Sequence, residues 1–133
     1  RGALKEAIAK TPGLLKDIEA IVHPLVAEDR QHFIASNSAA PLVVLDIPLL
    51  FEGEGHKTSD ATVVVTTDPD EQKRRVMARG TDEAAFQDLL ARQMPDSTKQ
   101  TLADYVIRTD GLDETKRAVA DLVTQLTDPQ GQD

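Results

Sequence analysis

The stretch Leu42–Glu52, LVVLDIPLLFE, decides the fold that this sequence predicts. Its first four residues are apolar and rich in β-branched side chains, which is typical of a parallel strand buried on both faces. Asp46 follows at once, and Pro48 cannot donate a further ladder hydrogen bond. We therefore expect Asp46 at the carboxyl end of a buried strand, the edge where α/β sheets bind ligands. A strand with a capping aspartate and a hydrophobic loop explains the same residues equally well.

Composition narrows the class of protein. The chain has 133 residues, enough for one domain, and its net charge of −8 argues against nonspecific binding to nucleic acid or anionic membranes. Without cysteine it forms neither a disulfide nor a thiolate zinc site, and three scattered histidines do not suggest a metal cluster. No apolar run approaches the roughly 20 residues that span a bilayer, and no signal peptide is evident. We expect no protein-bound metal, no membrane partner and a cytoplasmic location.

Two further segments read as strands. Asp60–Thr67, DATVVVTT, predicts a second buried strand, and Asp104–Arg108, DYVIR, predicts a third. Helices are predicted between the strands, so the strands should pair in parallel. The predicted fold class is α/β, a parallel sheet flanked by helices. Three strands are few for such a sheet, and we expect the chain to be the later part of a larger domain.

Helices are expected on both sides of the first predicted strand. A short helix around Leu4 and Ile8 precedes a second that starts at Thr11-Pro12 and is interrupted at His23-Pro24, because the residue before proline avoids helical angles. After the second strand, Asp68 and Glu71 predict a capping box at the start of a helix that ends at Gly80. The later helices are expected to start at Thr81, at Pro95 and at Leu112, the last with a buried apolar stripe that reaches Leu126.

Basic side chains are concentrated after the second strand. Four lie within seven residues: Lys73, Arg74, Arg75 and Arg79. Arg75 and Arg79 share a helix face, and Arg92 follows on the next helical piece. The planar guanidinium fork suits bidentate contacts with phosphate oxygens, so a lid that closes over a polyphosphate is one interpretation. The other is a solvated face whose charges balance Asp70 and Glu71.

The chain resembles the C-terminal part of dephospho-CoA kinases, P-loop kinases of the nucleoside-monophosphate-kinase group. Five segments carry the resemblance in order: EAIVHPLV at Glu19–Val26, DIPLLFE at Asp46–Glu52, the helix Asp68–Arg79 with Gln72, Arg75 and Arg79, the lid return Arg92–Pro95 with Lys99, and the strand Ala103–Ile107. Their shared order and spacing make the resemblance specific. It favours dephospho-CoA as substrate, although a different small-molecule kinase with a similar lid stays open.

The resemblance implies that ATP, as its Mg²⁺ complex, phosphorylates the ribose 3′-hydroxyl of dephospho-CoA in the last step of coenzyme A biosynthesis. It implies catalytic roles for Arg75 and Arg79 at the ATP phosphates. Arg92 and the turn at Gly111 would also bind ATP. Asp46 would orient a magnesium-bound water or act only as a cap.

The resemblance places dephospho-CoA against five residues: His23, Leu49, Leu50, Phe51 and Glu52. Each has a structural alternative, namely a helix break for His23, core packing for Leu49–Phe51 and ordering of the loop for Glu52. The implied organisation is one kinase domain over residues 1–133, with a helical CoA-side segment at about 1–40, core elements at about 41–80 and 104–127, and a lid at about 80–103.

The family's phosphate loop has no match in this sequence. No G-x-x-x-x-G-K-[ST] occurs, and we expect that loop and a first strand to precede Arg1. The isolated chain is therefore expected to be inactive. The alternative is a noncatalytic module that binds a nucleotide or a partner. Thr109 also stands where the family usually has asparagine in the turn near adenine, which leaves the backbone at Gly111 for that contact. The sequence does not set the oligomeric state.

Overall fold

Two compact units make up the chain, Arg1–Val43 and Val44–Asp133. A computed structural model describes residues 6–8, 10–11, 13–53 and 55–128. The domain limits expected from the sequence stay predictions.

The first unit consists mainly of helix α1, Leu14–Ser36. Its N-cap is Gly13, whose φ of +92° lies in the left-handed region that glycine adopts without strain. The predicted start at Thr11-Pro12 is therefore wrong, and Pro12 itself lies outside the described residues. Of the short helix predicted before it, residues 6–8 and 10 are helical, and the rest also lies outside the described residues.

Helix α1 continues through Pro24, so the predicted interruption at His23-Pro24 is wrong. Proline lacks one N–H donor and costs about 3 kcal/mol in a helix interior. A 23-residue helix retains the hydrogen bonds on both sides of that position. No described residue of α1 is buried, and Ile21 and Leu25 are 66% and 60% exposed.

The second unit contains a parallel pair of strands, β1 (Val63–Thr66) and β2 (Tyr105–Arg108). Val63 lies opposite Tyr105, and Thr66 lies opposite Arg108. Three helices connect the strands, α2 (Pro69–Ala78), α3 (Glu83–Ala91) and α4 (Asp96–Leu102), and α5 (Leu112–Thr127) follows β2. Helix α5 packs on β2, and α4 packs on β1. The predicted α/β class with a parallel sheet is confirmed.

The strand predicted at Leu42–Leu45 does not form. Residues 42–47 have no regular secondary structure, no described residue pairs with them in a ladder, and Val44 is 76% exposed. The prediction of a strand buried on both faces is wrong here because an apolar run is buried only when other strands and helices cover it. Asp46 therefore lies in an irregular segment rather than at the end of a sheet strand.

Strand β1 is buried on one face only. Val64 and Thr66 are 8% and 5% exposed, whereas Val65 between them is 66% exposed. The expected burial on both faces is therefore wrong, since the described helices cover a single side of the pair. The buried apolar residues of this unit are Phe51, Val64, Phe86 and Ile107.

The start and end signals of α2 act largely as predicted. The Asp68 carboxylate accepts a hydrogen bond from the backbone N–H of Asp70 at 2.9 Å. Gly80, with φ of +88°, follows the C-cap Arg79. Glu71 does not complete the predicted capping box, because its carboxylate binds arginine side chains one turn further on.

The remaining helices keep their predicted places with two corrections. The N-cap of α3 is Asp82, which accepts from the N–H of Ala85, rather than Thr81. Helix α4 begins after Pro95, as expected. Helix α5 covers the predicted span, but none of its residues is buried and Leu112 is 71% exposed. Its apolar stripe is only partly covered, because β2 is the main element packed against it.

Candidate functional site

An open pocket of about 250 Å³ lies beyond the carboxyl end of β2. Six residues line it: Arg75, Thr109, Asp110, Gly111, Leu112 and Thr115. One comes from the last turns of α2 and the others from the loop after β2 and the first turn of α5. The carboxyl ends of parallel strands are where α/β proteins bind ligands, so the topology marks this pocket as the candidate site.

Arg75 is fixed on the pocket wall by three hydrogen bonds. Its Nε donates to Glu71 Oε1 at 2.7 Å, its Nη1 to Thr109 Oγ1 at 3.3 Å and its Nη2 to the Thr109 carbonyl oxygen at 2.8 Å. A guanidinium has five N–H donors, so one remains on each terminal nitrogen. The side chain is 33% exposed, and these two donors have no hydrogen-bond partner among the described residues.

Glu71 is the carboxylate that orients Arg75. Its two oxygens also accept from Nε and Nη2 of Arg74 at 2.6 and 2.7 Å. The hydrogen bonds from Arg74 and Arg75 lower the pKa of Glu71 to about 2, so the carboxylate is ionised at neutral pH. Arg74 is 68% exposed and fits the solvated-face interpretation of the basic cluster. Arg75 does not, because it reaches into the pocket.

Thr109 lines the pocket, although the sequence did not mark it as a site residue. Its N–H and its hydroxyl both donate to the carbonyl oxygen of Thr66, at 2.8 and 3.1 Å, which fixes the loop to the end of β1. Its own carbonyl accepts from Arg75. In the sequence, the one notable feature of Thr109 is that it stands where the family that the chain resembles usually has asparagine. No local pattern indicates a contact with a residue 34 positions earlier.

Asp110 adds a negative charge beside Arg75. It accepts from Arg108 Nε at 2.6 Å and from Thr67 Oγ1 at 3.0 Å. Arg108, Thr67 and the nearby charge of Arg75 lower its pKa, so it stays ionised. Gly111 follows in an extended conformation as the N-cap of α5. The pocket therefore combines one oriented cation, one paired carboxylate and a backbone turn.

Glu52 lies in a second polar cluster of the same unit. Its Oε1 accepts from the backbone N–H of Met94 at 2.6 Å and lies 3.1 Å from Lys99 Nζ. Lys99 also donates to Gln93 Oε1 at 3.2 Å. Burial raises the pKa of Glu52, but the Met94 N–H and Lys99 outweigh it and the net pKa is lowered. Oε2 is buried and has no hydrogen-bond partner among the described residues.

The three apolar residues before Glu52 differ in burial. Phe51 is 8% exposed, and its ring centroid lies 5.3 Å from that of His56 at an angle of 36°. Phe51 is thus part of the core, as the packing alternative requires. Leu49 is 45% exposed, and Leu50 is half-buried beside Gly55. Leu49 is therefore the member of this group most open to a ligand.

Four other candidate residues lie outside the pocket lining. Arg79 and Arg92 are the exposed C-caps of α2 and α3, and Asp46 is exposed in the irregular segment 42–47. His23 is exposed on α1, in the other unit. Within the described part of the chain, none of the four side chains forms a hydrogen bond or ion pair. The structure thus brings Arg75 and Gly111 together, and the roles of all the candidates stay predictions.

Among residues 6–8, 10–11, 13–53 and 55–128, no three acidic or histidine side chains form a group that could hold a metal ion. The helices built from these residues are too short or too polar to cross a bilayer.

Comparisons with known proteins give a consistent result. A family model described as dephospho-CoA kinase matches residues 1–115. The dephospho-CoA kinase of Jannaschia sp. (strain CCS1) is 59% identical over 128 residues, which are 96% of this chain and 66% of that protein. The dephospho-CoA kinase of Ruegeria pomeroyi is 51% identical over 127 residues, 95% of this chain and 64% of that protein.

A solved structure agrees in fold. The crystal structure of TT1252 from Thermus thermophilus matches with a TM-score of 0.71 and 37% identity, covering 96% of this chain and 68% of that chain. The chain spans slightly less than two thirds of the length of the two curated relatives.

Proposed function

The chain belongs to the dephospho-CoA kinase family, and from this premise we propose that it is part of an enzyme that transfers the terminal phosphoryl group of ATP to the ribose 3′-hydroxyl of dephospho-CoA. The observation that carries the proposal is the position of Arg75. This guanidinium lies at the carboxyl end of the sheet, is oriented by Glu71 and Thr109, and retains two N–H donors.

Phosphoryl transfer depends on positioning and on neutralising charge at the phosphate oxygens. An arginine that is already oriented needs little reorganisation when charge develops in the transition state. The two remaining donors of Arg75 suit a bidentate contact with phosphate oxygens. We assign Arg75 to the ATP phosphates, with the turn at Gly111 beside the adenine.

Arg79 and Arg92 supply further positive charge in this proposal. Both are exposed at helix C-termini, and their side chains lack partners within the described part of the chain. Long side chains at such positions can turn onto a bound polyphosphate when a lid closes. Arg79 and Arg92 thereby complete the neutralisation that Arg75 begins.

The acceptor side of the proposal uses the apolar turn Leu49–Phe51. Leu49 is the apolar group exposed for contact, while Phe51 shapes the turn from within the core. Mg²⁺ enters as the complex with ATP. Mg²⁺ at such sites takes much of its coordination from phosphate and water.

We further propose that these 133 residues alone do not catalyse the reaction. The sequence contains no G-x-x-x-x-G-K-[ST] loop, the element whose backbone cradles the phosphates and whose lysine reaches them. The arginines of this chain do not replace the backbone N–H groups and the lysine of that loop. Purified as an isolated polypeptide, the chain should form no coenzyme A above background.

The test uses the complete protein encoded by the reading frame that contains this sequence. Incubation with ATP, Mg²⁺ and dephospho-CoA should yield coenzyme A and ADP, measured by mass spectrometry and ADP release. Arg75→Ala should lower kcat at least about tenfold, or about 1.4 kcal/mol, while Arg117→Ala, an exposed arginine of α5, should leave it unchanged. Absence of coenzyme A, or phosphorylation of another small alcohol instead, would overturn the proposal.

A further inference from the structure

We infer that Glu52 is a positioning residue that fixes the segment carrying Arg92 without touching either substrate. The inference rests on the proposed function, because it matters only if Arg92 serves the nucleotide. We call the three joined residues Glu52, Met94 and Lys99 the Glu52 clasp. It lies wholly within the second unit.

The charged side chains of the clasp are largely shielded from solvent. One carboxylate oxygen, Oε1, accepts the Met94 N–H at 2.6 Å and lies 3.1 Å from the Lys99 ammonium. The side chains of Glu52 and Lys99 are 20% and 14% exposed, so solvent screens the pair less than an ordinary surface ion pair. Lys99 also bonds Gln93. The residues just after Arg92 are thus tied through both backbone and side chain.

The position of Arg92 depends on this contact. Arg92 is the C-cap of α3, and Met94 is two residues further on. Lys99 lies in α4, which begins at Asp96. The clasp therefore fixes the connection between α3 and α4 at Met94 and at Lys99. The Arg92 side chain has no partner among the described residues, so its backbone alone determines where the guanidinium can reach.

Stability alone is a poor explanation for the clasp. A buried ion pair often stabilises a fold no better than apolar side chains of similar volume, because both charges must leave water. The clasp also leaves the second oxygen, Oε2, buried without a partner in the described part of the chain. Such an acceptor is costly to bury. A contact of this kind is better suited to fixing one geometry of the Arg92 segment.

The test is a double-mutant cycle between Glu52→Gln and Arg92→Ala in the complete protein. Glu52→Gln should lower kcat about tenfold with a smaller change in the KM for dephospho-CoA. Glu83→Gln is the matched control, since Glu83 forms a 2.8 Å ion pair with Lys73 but is 55% exposed. Its kcat should stay within about twofold of the wild type.

The coupling between the Glu52 and Arg92 substitutions distinguishes a positioning role of Glu52 from a general loss of stability. If Glu52 acts through Arg92, the double mutant should be no slower than Arg92→Ala alone. Additive losses, or an Arg92→Ala variant as active as the wild type, would overturn the inference. If Glu52→Gln does not fold, Lys99→Gln breaks the contact from the other side and enters the same cycle.

A second readout separates this inference from the proposed function. The same cycle is measured by titrating ATP into each variant, which does not involve dephospho-CoA. Coupled losses of ATP affinity in a protein that forms no coenzyme A would support the clasp and refute the proposed substrate. Coenzyme A formation with additive effects on both readouts would refute the clasp alone.

Discussion

Arg75 is oriented before any ligand reaches it. Glu71 binds its Nε, and Thr109 accepts from both terminal nitrogens. Fixing a free arginine side chain costs up to about 2 kcal/mol of rotamer entropy, and here that cost is met when the protein folds rather than when a ligand binds. The two remaining donors can then act on an anion with little further entropic cost.

The charge of Glu71 sets the acid limit of this arrangement. Its pKa in the folded protein is about 2, below the ordinary value of 4.5. A carboxylate with a lowered folded pKa adds stability that is complete above the unfolded value and is lost as the pH falls through the folded value. The Glu71 contribution should therefore weaken from about pH 4.5 downward and be absent below about pH 2.

A carboxyl ¹³C NMR titration measures this directly. The Glu71 resonance should stay in its ionised position through pH 4 and move only as the pH approaches about 2. In an Arg74→Ala, Arg75→Ala double variant its midpoint should rise toward 4.5, because the two hydrogen-bond donors are gone. A wild-type midpoint near 4.5 would show that Glu71 does not bind the arginines in solution.

At the level of elements, the two strands are fastened at both ends by side chains. At the start, the Asp104 carboxylate accepts from the N–H and the hydroxyl of Thr62, at 2.8 and 2.7 Å. At the end, Thr109 donates to Thr66. A two-stranded sheet is marginal by itself, so these polar contacts matter alongside the helices packed on it.

Asp104→Ala should lower the free energy of unfolding by about 2–4 kcal/mol, because it leaves two donors of the buried Thr62 without a partner. The change is measured by urea denaturation of the complete protein. Asp60→Ala, at an exposed position just before β1, is the control and should shift it by less than about 0.5 kcal/mol. Equal effects of the two substitutions would mean that the Thr62 contact contributes nothing.

Elements with local signals were predictable from the sequence. Asp68-Pro69 and Gly80 mark the ends of α2, and these signals act through neighbouring residues, so the chain itself carries them. The structure of Leu42–Leu45 was not predictable in this way. An apolar run indicates that a segment favours burial, but it does not show whether a partner strand is present. The helix break predicted at Pro24 was wrong because a long helix tolerates one missing N–H donor.

The candidate site was predictable in part. Arg75 and Gly111 were chosen from a family resemblance, and the parallel pairing of β1 and β2 brings them to one pocket. The long-range partners of Arg75 and Glu52 were not predictable, because Thr109, Met94 and Lys99 lie far away in sequence. Long-range polar contacts depend on packing that a single sequence does not display.

At the scale of the whole molecule, the topology explains why Arg75 lies at the pocket. The connection from β1 through α2 and back to β2 returns the loop after β2 to the last turns of α2. Arg75 and the Thr109–Gly111 loop thus meet at the carboxyl edge of the sheet, the general ligand site of α/β folds. The central claim is that this edge receives the anionic nucleotide.

Mapping ATP binding onto the backbone amides of the complete protein by NMR tests that claim most directly. Addition of ATP with Mg²⁺ should shift the amide resonances of Thr109, Asp110 and Gly111, and Arg75→Ala should weaken ATP affinity at least about tenfold. The result that would contradict the claim is ATP binding that leaves these amides unchanged and is insensitive to Arg75→Ala.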